Sequence, residues 1–183
     1  MIEIKDLTVR FPDITVFEHA SFTLPDEGVV LLTGESGIGK TTLMRVIAGL
    51  IKPQEGIVTG LEHRNIAFSF QEPRLLEHMS AMDNVAIVSD RSKAESLLIK
   101  LNLKDEMPKK ASELSGGQKQ RVSLARAFAF TNDIVLLDEP FTGLDEKNKE
   151  RAKDLILTAR LAIVVTHDPN DAVLLHATTK INL

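Results

Sequence analysis

The segment Gly34-Glu35-Ser36-Gly37-Ile38-Gly39-Lys40-Thr41-Thr42 fits the spacing G-x-x-x-x-G-K-[ST] and narrows the possible folds more than any other stretch. Its glycines free successive backbone N–H groups to turn toward phosphate oxygens. Lys40 adds a point charge, and Thr41 offers a hydroxyl to Mg²⁺. Such a loop needs a buried strand to deliver it and a helix to follow, because the helix N-terminus adds donors and a dipole. Both flanks are legible. Residues 29–33 are an apolar run leading into glycine, as a strand buried on both faces requires, and residues 41–50 read as a helix that Lys52-Pro53 stops.

Elsewhere the periodicity keeps switching. Residues 2–9 and 14–24 alternate as antiparallel strands, with Phe11-Pro12-Asp13 as the turn between them. Residues 66–70, 134–137 and 161–166 read as further strands. Residues 94–101 form an amphipathic helix, 118–130 carry Val122, Ala125 and Ala129 on one stripe, and 146–158 are a charged surface helix. Strands alternating with helices imply a mostly parallel sheet covered on both faces, and the helical stretch at about 72–130 reads as an insertion into it. At 183 residues this is one domain by size.

Composition removes several classes of function. A formal net charge of −4 argues against nucleic acid as a partner. With no cysteine there is neither a disulfide framework nor a thiolate metal site, and the five histidines lack metal-ligand spacing. No apolar run reaches the roughly 18 residues that a membrane span needs, and the start Met1-Ile2-Glu3 is no signal peptide. The expectation is a cytoplasmic chain whose membrane association goes through a partner. Tyr and Trp are absent, so the eight Phe are the only aromatics.

Two further segments carry chemistry. Leu114-Ser115-Gly116-Gly117-Gln118 is a glycine-rich turn before a basic helix, a second place where backbone amides can meet phosphate. One nucleotide does not need two such sites, and the plainer alternative is a helix cap in which Ser115 is purely structural. Ile134-Val135-Leu136-Leu137-Asp138-Glu139 ends a buried strand in two acids, at the strand end where ligands sit in open parallel sheets. Asp138 is expected to hold Mg²⁺ through its water shell, and Glu139 to polarise an attacking water as general base. The alternative is a pair of solvated acids capping the strand before Pro140.

Taken together with Leu136-Leu137-Asp138-Glu139-Pro140 and Val165-Thr166-His167-Asp168, these motifs resemble, in order, the nucleotide-binding subunit of an ATP-binding cassette (ABC) transporter. The resemblance implies an α/β P-loop NTPase with a RecA-like parallel core, an N-terminal antiparallel β subdomain and an inserted helical subdomain, residues 1–183 forming one domain. It implies ATP and Mg²⁺ as ligands and ATP hydrolysis as the reaction. It makes Gln71 a glutamine that touches Mg²⁺ or the water, and His167 a contact to the γ-phosphate. Asp145, in Phe141-Thr142-Gly143-Leu144-Asp145, is placed across a dimer interface, and Phe11 where an aromatic stacks on adenine. Without the resemblance, Gln71 reads as a surface residue, His167 as a hydrogen-bonded strand end and Phe11 as core packing. The second glycine turn then acquires a purpose: in such proteins two subunits pack head to tail, and Ser115, Gly116, Gly117 and Gln118 of one reach the ATP held by the other.

Phe70-Gln71-Glu72-Pro73-Arg74-Leu75-Leu76 is similar to importer ATPases of the nitrate, sulfonate and taurine type. That implies a membrane permease docking around residues 72–88, with Leu75, Leu76 and Met79 lining the contact, and a solute-binding protein acting indirectly. The partner subunit is a second copy or a paralogue, at the inner face of the cell membrane. Between Pro53 and Ile66 the chain is shorter than usual for such proteins, and its end soon after His167 predicts no C-terminal regulatory domain. A soluble ABC ATPase acting on ribosomes, DNA or iron–sulfur assembly is the alternative. A small-molecule kinase gives no reason for the second glycine turn.

Overall fold

The computed structural model describes residues 1–183, the side chain of Pro169 excepted. β1 (Ile2–Phe11) and β2 (Ile14–Leu24) form an antiparallel hairpin closed by Pro12 and Asp13, with Phe11 paired to Ile14. Phe11 therefore ends a strand rather than sitting in the turn. β4 (Glu55–Thr59) adds to the other side of β1, giving the order β2-β1-β4. Periodicity does not reveal β4, because its exposed Glu55, Gly56 and Ile57 bury no apolar face.

The second sheet is entirely parallel, in the order β5-β6-β7-β3-β8: β3 (Gly28–Thr33), β5 (Ile66–Ser69), β6 (Ile134–Asp138), β7 (Leu161–Val165) and β8 (Thr179–Asn182). β8 is short and only half buried, and pairing with β3 defines it as a strand. Successive side chains of a strand point to opposite faces, and here each face has its own core. Val30, Leu32, Leu136 and Ile163 face one cluster with Leu43, Met44 and Ile47 of α1 (Lys40–Ile47) and with Ile2, Ile4 and Leu7 of β1. Val29, Leu31, Leu137 and Val164 face the other, against the helices that follow Gln71 and against Ala152 and Ile156 of α5 (Glu146–Ile156). Each fully buried Leu or Ile contributes about 1.5–3 kcal/mol of transfer free energy, so a strand apolar on both faces is strongly specified.

The helical stretch begins later than its composition suggests. Residues 72–79 are irregular, and the helices are α2 (Ala81–Ala86), α3 (Arg91–Lys100) and α4 (Gly116–Phe130), with two short 3-10 turns between α3 and α4. The irregular segment is held by Asn84, fully buried. Its Oδ1 accepts from Leu76 N at 2.8 Å, and its Nδ2 donates to Leu76 O at 3.1 Å and Ser80 O at 3.0 Å. Ser80, Asp90, Ser115 and Asp145 cap their helices by accepting a backbone N–H. α1 stops at Ile47, ahead of the expected Leu50, where Ala48 and the left-handed Gly49 turn the chain. α6 (Pro169–Leu174) follows β7.

Strand order is what builds the site. β5, β6, β7 and β3 are parallel neighbours, so the residues just beyond their carboxyl ends (Gln71, Asp138 and Glu139, His167 and the glycine loop) emerge at one edge.

Candidate active site

Gly39 decides the shape of the loop between β3 and α1. It is left-handed, with φ of 115°, and a Cβ built on it would stand 2.6 Å from Val16 Cγ1 and 2.8 Å from Phe17 Cζ. Only glycine fits between the hairpin and the start of α1. Lys40 follows, nearly buried, with Nζ donating to the carbonyls of Gly34 at 2.8 Å and Glu35 at 2.7 Å. An ammonium has three donors, so one remains for a further acceptor. Ser36, Gly37, Gly39, Lys40, Thr41 and Thr42 line the cleft over this loop, while the Glu35 and Ile38 side chains are exposed.

Thr41 Oγ1 donates to Asp138 Oδ2 at 2.8 Å, joining the start of α1 to the end of β6. Asp138 is buried, so this pair presents hard oxygen ligands at the floor of the cleft. Among the described residues no cluster of three or more His, Asp or Glu is set to hold a metal. The donor set fits a cation bound by one hydroxyl and one carboxylate, with phosphate oxygens and water completing the shell, as Mg²⁺ prefers.

Glu139 has the most unusual environment. Its backbone is left-handed, with φ of 51°, and is locked there: its N–H donates to Val165 O at 2.9 Å, and its carbonyl accepts from Gln120 Nε2 at 3.2 Å. A non-glycine residue held so is strained by about 1–3 kcal/mol, the kind of conformation that persists where function demands it. Oε1 is buried without a hydrogen-bond partner and lies 3.5 Å from His167 Nε2, beyond hydrogen-bond reach. Burial pushes the Glu139 carboxyl above the ordinary glutamate range; His167 works against that shift, and Asp138 and Asp171 add to it. A half-buried carboxylate with a raised pKa and one oxygen lacking a hydrogen-bond donor, at the edge of the cleft over the glycine loop, is equipped to take a proton from water.

His167 and Gln71 also line this cleft. Ser115 and Gly116 are exposed, and none of Ser115, Gly116, Gly117 and Gln118 lies among the residues that line it. Ser115 Oγ accepts from Gln118 N at 3.3 Å, and Gln118 Oε1 accepts from Ser115 N at 2.8 Å. This reciprocal cap leaves the serine hydroxyl proton free to donate. Phe11, 42% exposed at the hairpin tip, does not line the cleft. Asp145 caps α5, bonded to Asn148.

The ABC transporter profile matches residues 17–142. The chain belongs to the ABC transporter family. It is one of that family's ATP-binding, ATP-hydrolysing subunits. It is 40% identical to an ABC transporter ATP-binding protein of Haemophilus influenzae, over 94% of this chain and 78% of that one. It is 39% identical to the aliphatic sulfonates import ATP-binding protein SsuB of Zymomonas mobilis, over 95% and 78% of the two chains. The chain spans about half the length of the sulfate/thiosulfate import relatives that it also matches. Among solved structures, a dimeric ATP-binding cassette in a post-hydrolysis state, bound to ADP and Pi, superposes with a TM-score of 0.86 at 29% identity, covering 100% of this chain and 94% of that one.

Within this ABC ATPase the expected lining of the permease contact is corrected at Leu75. Leu75 is 8% exposed and packs into the helical core, so it cannot line a docking surface, whereas Leu76 is exposed. Sequence inspection also misses the supports of the site, Gln120 and Arg121 on α4, Asn148 on α5 and Asp171 on α6. Gln120 meets Glu139 and Arg121 meets Asn148 across long stretches of chain, whereas the links from Arg121 to Gly117 and from Asp171 to Thr166 are local but belong to no motif. No helix among the described residues is long and apolar enough to cross a membrane.

Proposed function

We propose that residues 1–183 act as a single ABC cassette, with about 72–130 as its helical insert, and that it powers solute import through a membrane permease as a dimer. The observation that supports this is the separation of the two glycine turns, one in the cleft with Lys40, Asp138 and Glu139 and the other, at Ser115, exposed outside it. The relatives named for sulfonate and sulfate import support import of a small oxyanion.

In this reading the loop amides and Lys40 bind the β- and γ-phosphates, and Thr41 and Asp138, with Gln71, hold Mg²⁺, which supplies charge neutralisation on those phosphates. Water attacks the γ-phosphorus and its proton passes to Glu139, while the bond to the bridging oxygen breaks and ADP leaves. His167 contacts the γ-phosphate. Ser115, Gly116, Gly117 and Gln118 of a second subunit close over it, with the dipole of α4 behind them. Asp145 faces that subunit and Phe11 stacks on adenine. The unmatched acceptor Glu139 Oε1 supports the role of base, since a buried carboxylate oxygen needs a donor. The permease docks on the exposed Leu76, Ile87 and Val88, placing the chain peripherally on the inner membrane face.

Ser115→Arg tests the shared site. ATP hydrolysis is expected to fall to background while ATP affinity of the isolated chain stays within about twofold of the parent, because the cleft is untouched. Full ATPase activity in this variant would make the turn a structural cap only. The rate is also expected to depend on pH in a defined direction. Only ionised Glu139 accepts a proton, and its pKa is raised, so kcat climbs with pH through that raised pKa and levels above it. A profile without a rising acid limb, or the same rising limb in Glu139→Gln, would exclude Glu139 as the titrating base.

A further inference from the structure

Arg121, on the second turn of α4, is 8% exposed and serves three segments with one guanidinium. Nε donates to Gly117 O at 3.2 Å, in the glycine turn itself. Nη1 donates to Leu101 O at 2.7 Å and Asn102 O at 3.0 Å, closing the end of α3. Nη1 also meets Asn148 Oδ1 at 3.1 Å, and Asn148 Nδ2 donates to Asp145 Oδ2 at 3.0 Å. The glycine turn and the turn leading to Asp145 are in backbone contact as well: a Cβ on Gly117 would lie 2.4 Å from Gly143 O. That approach admits no side chain at Gly117, so the two turns are packed against each other and cross-tied by Arg121 and Asn148.

We infer that Arg121 is a positioning residue which, through Asn148, fixes the Ser115–Gly117 turn and the Asp145 turn as one block, so that both are presented to the second subunit in a single geometry. The inference rests on the two-subunit reading above. Arginine suits the task because its rigid fork holds several acceptors at fixed angles, which a lysine ammonium cannot do. A buried guanidinium also depends on those acceptors. Burial lowers the Arg121 pKa, opposed by the nearby carboxylates of Glu106 and Asp145. Neither Arg121 nor Asn148 lines the phosphate cleft. Their contribution is to the geometry of association, where misplacement of a contact by about 1 Å is enough to lose orders of magnitude in rate.

The experiment uses the full chain carrying Glu139→Gln, with two readouts: ATP affinity of the monomer by equilibrium titration at low protein concentration, and the ATP-driven monomer–dimer constant by sedimentation. Asn148→Ala cuts the cross-tie while leaving Arg121 its three backbone acceptors, so the fold is retained. Monomer affinity is expected to stay unchanged while the dimer weakens about tenfold, within the coupling range of a buried polar pair. Arg121→Lys is expected to weaken it at least as much, and the double variant no more than Arg121→Lys alone, because both changes break the same link. A merely structural role would lower the melting temperature and the monomer affinity together. Unchanged dimerisation in Asn148→Ala, or additive losses in the double variant, would overturn the inference. If Glu139→Gln alone does not dimerise with ATP, the two-subunit reading itself fails, and that outcome is distinct from both.

Discussion

Glu139→Gln slows ATP hydrolysis by about 10²–10⁴-fold, the range expected for loss of a general base, and leaves ATP binding intact. The glutamine is nearly isosteric, so the cleft and the left-handed backbone held by Val165 and Gln120 remain as they are. What disappears is an acceptor able to carry a proton. ATP then persists in the cleft, and a dimer held by its γ-phosphate accumulates, visible by size exclusion as an ATP-dependent shift. The variant is also expected to melt no lower than the parent at neutral pH. Burial raises the Glu139 pKa, which means the ionised form is disfavoured in the folded chain, so that stability is lost as pH rises through the raised value. A neutral amide escapes that penalty. A variant that hydrolyses ATP at the parental rate would remove Glu139 from the mechanism, and one that stays monomeric with ATP would remove the sandwich.

Lys40→Ala strikes an earlier step. Its ammonium, anchored by the carbonyls of Gly34 and Glu35, is buried in the loop and lines the cleft proposed to take the phosphates. Hydrogen bonds to charged groups contribute about 1.5–3 kcal/mol each, so ATP affinity is expected to fall by about one to two orders of magnitude. Titration of the monomer with ATP measures this directly. Because the two anchoring carbonyls lie on a partly solvated loop, water can replace the lost donors and the melting temperature should change little. Parental affinity in this variant would show that the backbone amides alone hold the phosphates.

The contrast between these two residues shows how differently sequence informs on them. Lys40 is legible because its role needs only local geometry: a strand, four intervening residues, a glycine of φ 115° and a helix start. Glu139 is legible only as one of two adjacent acids. Its raised pKa, orphaned Oε1 and strained φ come from β7 and α4, whose residues lie far along the chain. The same division runs through the fold. Strands apolar on both faces announce themselves, whereas β4 and β8 exist because β1 and β3 offer them hydrogen bonds. Leu75 and Leu76 are equivalent as letters, and packing alone buries the first and exposes the second.

By itself, then, the order of residues determined the family, the phosphate loop, the acids at the end of β6 and the second glycine turn, because each depends on residue types at short fixed spacings. Tertiary structure alone decided that β5, β6, β7 and β3 bring Gln71, Glu139, His167 and the loop to one cleft while leaving Ser115 outside it, and that Arg121 binds two turns into one surface. Those are contacts between segments remote in the chain, and long-range packing and hydrogen bonding have no signature in local periodicity.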